Sequence, residues 1–487
     1  MSALIMIAAV TMLALVLGSR ARQGHDMNLE QWAVGGRSFG TVFVFLLMAG
    51  EIYTTFTFLG GSGFAYGKGA AAYYILGYGT LAYIMSYWML PPIWRYAKAQ
   101  KIVSQPQFFA RKYDSPVLGV MVAMVGATAL IPYLVLQFKG LGIIVSMASY
   151  GVISPTVAVW IGAVVVTVYV AISGVRGSAW NAMVKDVLIL IVVLVLGIYL
   201  PIHYYGNLGD MFRAIDVAKP GFLTFQSKGT SLLWFQSTTL IAALGFFMWP
   251  HTFGSVFTAK DDRIFRRNAI VLPLYQLVLL FVFFVGFAAV LKVPGLSGTS
   301  IDLALFRLSQ QTFDPWFVGV IGAAGVLTAL VPASMIVTTA STLLANDLYR
   351  GAINRNASDA KVAKVARLMV PLIVLLAVFF TLKGGTTIVA ILLVGYNIVT
   401  QLFPAAVCSL MPNSRATRQG AVCGVAAGVA VAAITTLLHL TFTQILPFLP
   451  DSFKDLNVGF AALVVNIFVF AVVSAITQPR FSARASI

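Results

Sequence analysis

Runs of about 20 apolar residues, long enough for a helix to cross the hydrocarbon of a bilayer, recur about thirteen times along this chain. They fall near 3–18, 41–66, 70–94, 117–147, 156–174, 182–203, 233–256, 269–291, 316–345, 367–382, 387–410, 420–440 and 458–477. Of the 487 residues 60% are hydrophobic and only 10% are charged, a surplus that no water-soluble fold of this size can bury in one core. The expected fold is an all-α integral membrane domain whose outer surface meets the lipid bilayer.

The net charge of +17 suggests nucleic acid in a soluble protein, but in a membrane protein the loops that carry the cations decide its meaning. Most of the Lys and Arg lie in alternate loops: Arg20, Arg22 and Arg37, then Arg95 to Lys112, Arg176, Lys260 to Arg267, Arg350 to Arg367, Arg415 and Arg418, and Arg480 and Arg484. The opposite loops hold fewer, among them Lys68, Arg213, Lys292 and Lys383. The bias places the first set in the cytoplasm, the N-terminus outside and the C-terminus inside the cell membrane, with no nucleic-acid partner. No basic residue precedes the first run and "GSRARQG" follows it. It therefore reads as a retained span rather than a signal peptide.

Loops near 95–116 and 204–232 are too short for an appended soluble domain. There is no HExxH, nucleophile elbow or Walker loop. The four histidines, His25, His203, His251 and His439, lie in separate segments, and Cys408 and Cys423 sit inside apolar runs, so neither a metal cluster nor a disulfide framework is expected. An enzyme and a resident cofactor are not expected. Solute movement remains.

Helix breaks and ionisable groups inside spans mark a solute path, because hydrocarbon cannot satisfy them. The second span, "LLMAGEIYTTFTFLGGSGFAYG", contains Glu51, three threonines and paired glycines; the seventh, "LIAALGFFMWPHTFGSVF", contains Pro250 between Gly245 and Gly254. Two broken spans five apart suggest two halves of five spans with opposite polarity, about 41–205 and 233–411. One extra helix then lies within 1–40 and two within 420–478, with the site where the broken helices meet.

Four stretches carry a resemblance across nearly the whole chain: "EQWAVGGRSFG" (30–40), "SGVRGSAWNAMVKD" (173–186), "MWPHTFGSVFTAKDDRIFRRNA" (248–269) and "TTASTLLANDLYR" (338–350). The second resembles a glycine-rich loop, the third a Gln-Pro-His segment with a basic turn, and the fourth the exit of the ninth span. Together they resemble the sodium:solute symporter family, within it most of all bacterial monocarboxylate and acetate permeases. The resemblance implies a leucine-transporter-type five-plus-five inverted repeat with one helix before and two after. It also implies a sodium site between backbone carbonyls, here of Gly50 and Tyr53, and two hydroxyls of the ninth span. Those two positions fall on Val331 and Pro332, whose side chains carry no oxygen, so a sodium site is in doubt and the coupling ion is Na+ or H+.

Two substitutes present themselves. A slipped register brings Ser334, on one face with Thr338 and Ser341, toward the ion. Alternatively Lys185, five residues after Trp180, takes the cation's place and exchanges a proton; against that, it can pair with Asp186 or snorkel. Glu51 lies about ten residues into its span, roughly 15 Å from the edge at the helical rise. It can be an ion ligand, a titrating coupling group, or a structural acceptor for Tyr53, Thr54 or backbone donors.

Candidate substrate groups are Thr54, Thr55 and Thr57 in span two, Tyr133, Gln137 and Lys139 in span four, Trp249 and His251 in span seven, and Asn397 and Gln401 in span eleven. Lys139 beside the site favours a small anion; near the end of its span it serves the surface instead. Trp249 replaces the glutamine of the resembled motif and is an ordinary packing residue otherwise. The expected function is cation-coupled import of a small organic solute, best a monocarboxylate. Open alternatives are a sodium-driven amino-acid symporter and a channel-like or signalling protein on the same fold.

Overall fold

A computed structural model of the chain describes residues 2–21, 29–438, 440, 442–445, 447–450 and 453–478; Arg22, His25, His439, Arg480 and Arg484 lie outside them. Among the described residues there is no strand, and each apolar run is mainly helical. Eight helices are long and apolar enough to cross a bilayer, or up to nine if a bent pair is one span. The shorter apolar helices Ser2–Gly18, Thr41–Gly50 and Pro155–Ala171 and the helix Tyr74–Ala99 fill the remaining runs.

Helix starts follow local chemistry. Ser115, Ser154, Ser231, Ser358, Thr387 and Thr417 each accept a backbone N–H of the first turn, and Pro116, Pro155 and Pro315 occupy first-turn positions where no donor is missed. Several boundaries differ from the hydropathy reading, among them the starts at Arg263 and Asp359 and the end at Ile353. Asp359–Lys383 begins eight residues before the apolar run because Ser358 caps a charged first turn, and hydropathy cannot register a polar turn that projects past the membrane. The glycine-containing stretch between Pro155–Ala171 and Gly177–Tyr205 keeps helical backbone rather than opening into a loop.

Both expected broken spans are broken. The first runs as helix Thr41–Gly50, turns irregular at residues 51–54, where Ile52 and Thr54 lose the i−4 hydrogen bond, and resumes as a wide turn over Phe56–Gly61 and helix Ser62–Lys68. The second runs as Leu232–Met248 and, after Trp249 in extended conformation, Pro250–Val256, bent by 54°.

Lipid offers little drive for helices to associate, so small residues that allow close approach decide the packing. Gly420, Gly424 and Gly428 recur every fourth residue of Arg418–Leu437 and face Ser474, Phe470 and Asn466 of Val458–Thr477. Gly286 lies against the Ser62 carbonyl of the first broken span. At the basic face the entry to the first broken span meets the exit of the second in an isolated bridge: Phe39 N–H donates to Thr258 O and Lys260 N–H to Phe39 O, both at 3.0 Å.

Candidate functional site

A broken helix frees carbonyls that must find donors away from water, and in the first broken span each freed carbonyl does. The Tyr83 hydroxyl donates to Met48 O at 2.7 Å and the Tyr133 hydroxyl to Glu51 O at 3.1 Å. The Thr57 hydroxyl donates to Ile52 O at 2.8 Å and Thr54 O at 3.1 Å. Gly50 O and Tyr53 O both accept from the Lys185 ammonium, each at 3.1 Å. Lys185 is fully buried and also lies 3.1 Å from an Asp186 carboxylate oxygen.

The Lys185 Nζ thus sits between the two carbonyls that the family resemblance assigns to sodium. Val331, Pro332 and Met335 face Gly50, Glu51 and Ala182 across a space of about 20 Å³, room for about one water. Apart from the Glu51 carboxylate, the oxygens placed for a sodium ion there are two carbonyls already engaged by an ammonium, a poor match to its need for several ligands. Ser334 hydrogen-bonds to Ser178 Oγ and Val331 O, Thr338 to Ser334 O, and Ser341 to Val337 O. Their hydroxyls are spent on helix carbonyls and a neighbouring serine.

Glu51 begins the unwound stretch and reaches across to the second broken span. Its Oε2 lies 2.9 Å from His251 Nε2 and accepts from Thr252 Oγ1 at 3.0 Å. Three aromatic rings close round the pair: Tyr133 is 4.8 Å from Trp249 and 5.1 Å from His251, and Trp249 is 5.4 Å from Tyr396, centroid to centroid. Thr252 is absent from the sequence-derived candidates, although it follows His251 directly in "WPHTFG" and is the only hydroxyl of that motif beside a helix break.

The other expected site residues divide. Thr54 accepts from Phe56 N–H, and the Thr55 hydroxyl donates to Gln137 Oε1 at 2.7 Å, so these groups brace the break. Asn397 packs against Gly459, and Gln401 donates to Asn397 O and Gly459 O and accepts from Asn466, which ties both to the last helix. Lys139 pairs with Asp302 at 2.8 Å and donates to Thr386 O at the face opposite the basic loops. Burial pushes the Asp302 carboxyl above the ordinary carboxylate range while Lys139 and the Ile388 amide pull it back. Replacing Lys139 by Met should therefore destabilise the fold by about 2 kcal/mol, less than a fully buried pair because the lysine is partly exposed. Adding Asp302→Asn should recover most of that, as a double-mutant cycle of thermal unfolding in detergent will show.

At the basic face a cavity of about 650 Å³ is lined by Lys101, Gln107, Arg111, Asn346, Asp347 and Arg350. Asp347 is buried at its edge and accepts from Ser104 and Asn346.

The sodium:solute symporter family profile matches residues 32–428. The chain belongs to the sodium:solute symporter family. It is 60% identical over 484 residues, 99% of each chain, to the uncharacterized symporter YhjB of Bacillus subtilis (strain 168). It is 30% identical to a monocarboxylate transport permease protein of Rhizobium johnstonii, over 76% of this chain and 75% of that one. Among solved structures it superposes on a Na+-coupled sialic acid symporter in a substrate-bound outward-open state with TM-score 0.80 and 15% identity, covering 99% and 98% of the two chains. The fold is the all-α leucine-transporter type, and this family member is a cation-coupled symporter in a multi-pass membrane architecture. A channel or signalling protein is not the reading these relatives support.

Proposed function

We propose that this symporter brings a small monocarboxylate into the cell together with a proton, Lys185 standing where the family's coupling ion sits. The observation that carries the reading is the Lys185 ammonium 3.1 Å from both Gly50 O and Tyr53 O, beside two ninth-span positions that offer no hydroxyl. The 30% identity to a monocarboxylate permease supports the substrate class. Repeats of 41–205 and 233–411 put the two breaks in matching places, and the basic loops face the cytoplasm in this reading.

The charged ammonium bridges the unwound stretch to Gly177–Tyr205 and neutralises Asp186. Loss of its proton leaves a buried carboxylate without its cation and weakens both carbonyl contacts, an unfavourable state that proton return relieves. The unwound backbone is thus held when the lysine is loaded and released when it is not.

Uptake of labelled acetate, lactate, pyruvate and proline into proteoliposomes, under imposed sodium and proton gradients separately, tests the reading. An inward proton gradient should accumulate a monocarboxylate, and a sodium gradient should add nothing. Counterflow against internal substrate distinguishes carrier from passive leak of the neutral acid. Sodium-dependent accumulation, or accumulation of proline alone, defeats the proposal.

A further inference from the structure

We infer that His251 and Thr252 form the seat for the carboxylate of the transported anion, and that Glu51 fills that seat as an internal stand-in until substrate displaces it. The inference rests on the monocarboxylate reading above. Glu51 Oε2 collects two donors from the second broken span, His251 Nε2 at 2.9 Å and Thr252 Oγ1 at 3.0 Å, the pair of contacts a ligand carboxylate needs. Three polar atoms around it are buried without a hydrogen-bond partner: Glu51 Oε1, His251 Nδ1 and Trp249 Nε1. Such atoms are costly where nothing engages them, and all three belong to residues at the two helix breaks. The rings of Tyr133, Trp249 and Tyr396 pack beside the seat.

Two carboxylates cannot share a buried seat while both are charged. The substrate anion therefore occupies the seat only as the Glu51 carboxylate swings away from His251 Nε2 and Thr252 Oγ1. Other ionisable groups facing this stretch are Tyr133 from Pro116–Ala148, Tyr83 from Tyr74–Ala99, and Lys185 and Asp186 from Gly177–Tyr205. Pro315–Thr342 brings Val331, Pro332 and Met335 to the space beside Gly50 and Glu51. Glu51 is the group in contact with both seat donors.

Binding of labelled acetate to the purified full-length protein in lipid nanodiscs at pH 8 tests the seat. Glu51→Gln keeps an acceptor for His251 and Thr252 without the competing charge, so its acetate affinity should be at least about tenfold tighter than wild type. Adding Thr252→Val should weaken that binding by about tenfold. Size-exclusion profiles matching wild type certify folding of each variant. A folded Glu51→Gln protein that binds acetate no more tightly than wild type, or not at all, overturns the seat, as does unchanged binding with Thr252→Val. If the seat fails while wild type still accumulates a monocarboxylate, the transport reading survives. If Glu51→Gln binds acetate through Thr252 while wild type accumulates no monocarboxylate, the substrate reading alone falls.

Discussion

Replacing Lys185 by Ala or Met should lower proton-driven uptake by at least about 100-fold, because one change removes three contacts from a site sealed from water. The ammonium satisfies Gly50 O and Tyr53 O and balances Asp186. Deleting one partner of a buried pair costs about 3–5 kcal/mol, and 1.4 kcal/mol is a factor of ten. Arginine should not rescue: its planar fork is larger than the ammonium, and the surroundings are tight enough that a Cβ added at Gly50 would stand 2.9 Å from Nζ. Adding Asp186→Asn to Lys185→Met should restore folding, read as thermal unfolding, without restoring accumulation. This separates a structural pair from a coupling group. Initial uptake rates of the variants under a proton gradient give the answer, and an active Lys185→Ala protein that now needs sodium sinks the assignment.

The second large effect is expected far from charge. A Cβ at Gly286 would press into the Ser62 carbonyl and come within 2.9 Å of Ala65 Cβ. Backbone of a broken helix cannot swing aside as a flexible side chain can, so Gly286→Val should cost about 3 kcal/mol or more, the upper part of the overpacking range. Yield of monodisperse protein should fall sharply, with a milder loss for Gly286→Ala. Gly254 is the contrasting case, since a Cβ there meets nothing within 4 Å and sits in helix Pro250–Val256. Gly254→Ala should hold or raise the melting temperature, by up to about 1 kcal/mol in helix propensity. A collapse of Gly254→Ala would show that this glycine moves during folding or transport.

These two outcomes also measure what a sequence can disclose. Glu51 and Lys185 announce themselves because a charge in an apolar run needs a partner, whatever the fold. The breaks are announced by Pro250 and the glycines. Which partner each group finds depends on rotation about the helix axis, which an almost uniformly apolar span does not encode. Asn397 and Gln401 therefore look like lining groups in sequence yet turn toward Gly459 and Asn466. Ser334 and Thr338 look like ligands yet bond back to their own helix, a choice open to any hydroxyl in a membrane helix. Thr252 was hidden for the opposite reason: one threonine among many acquires meaning only when Glu51 arrives from a span two hundred residues earlier.

The bridge between Phe39 and Ala259 has mechanical weight. Its two backbone hydrogen bonds tie the two interrupted spans at one end, while Glu51 ties them again near mid-depth. With both pins in place the two spans should move as a single lever against the helices around it, and release of the Glu51 pin should let them part at that height while the Phe39–Ala259 pin still holds.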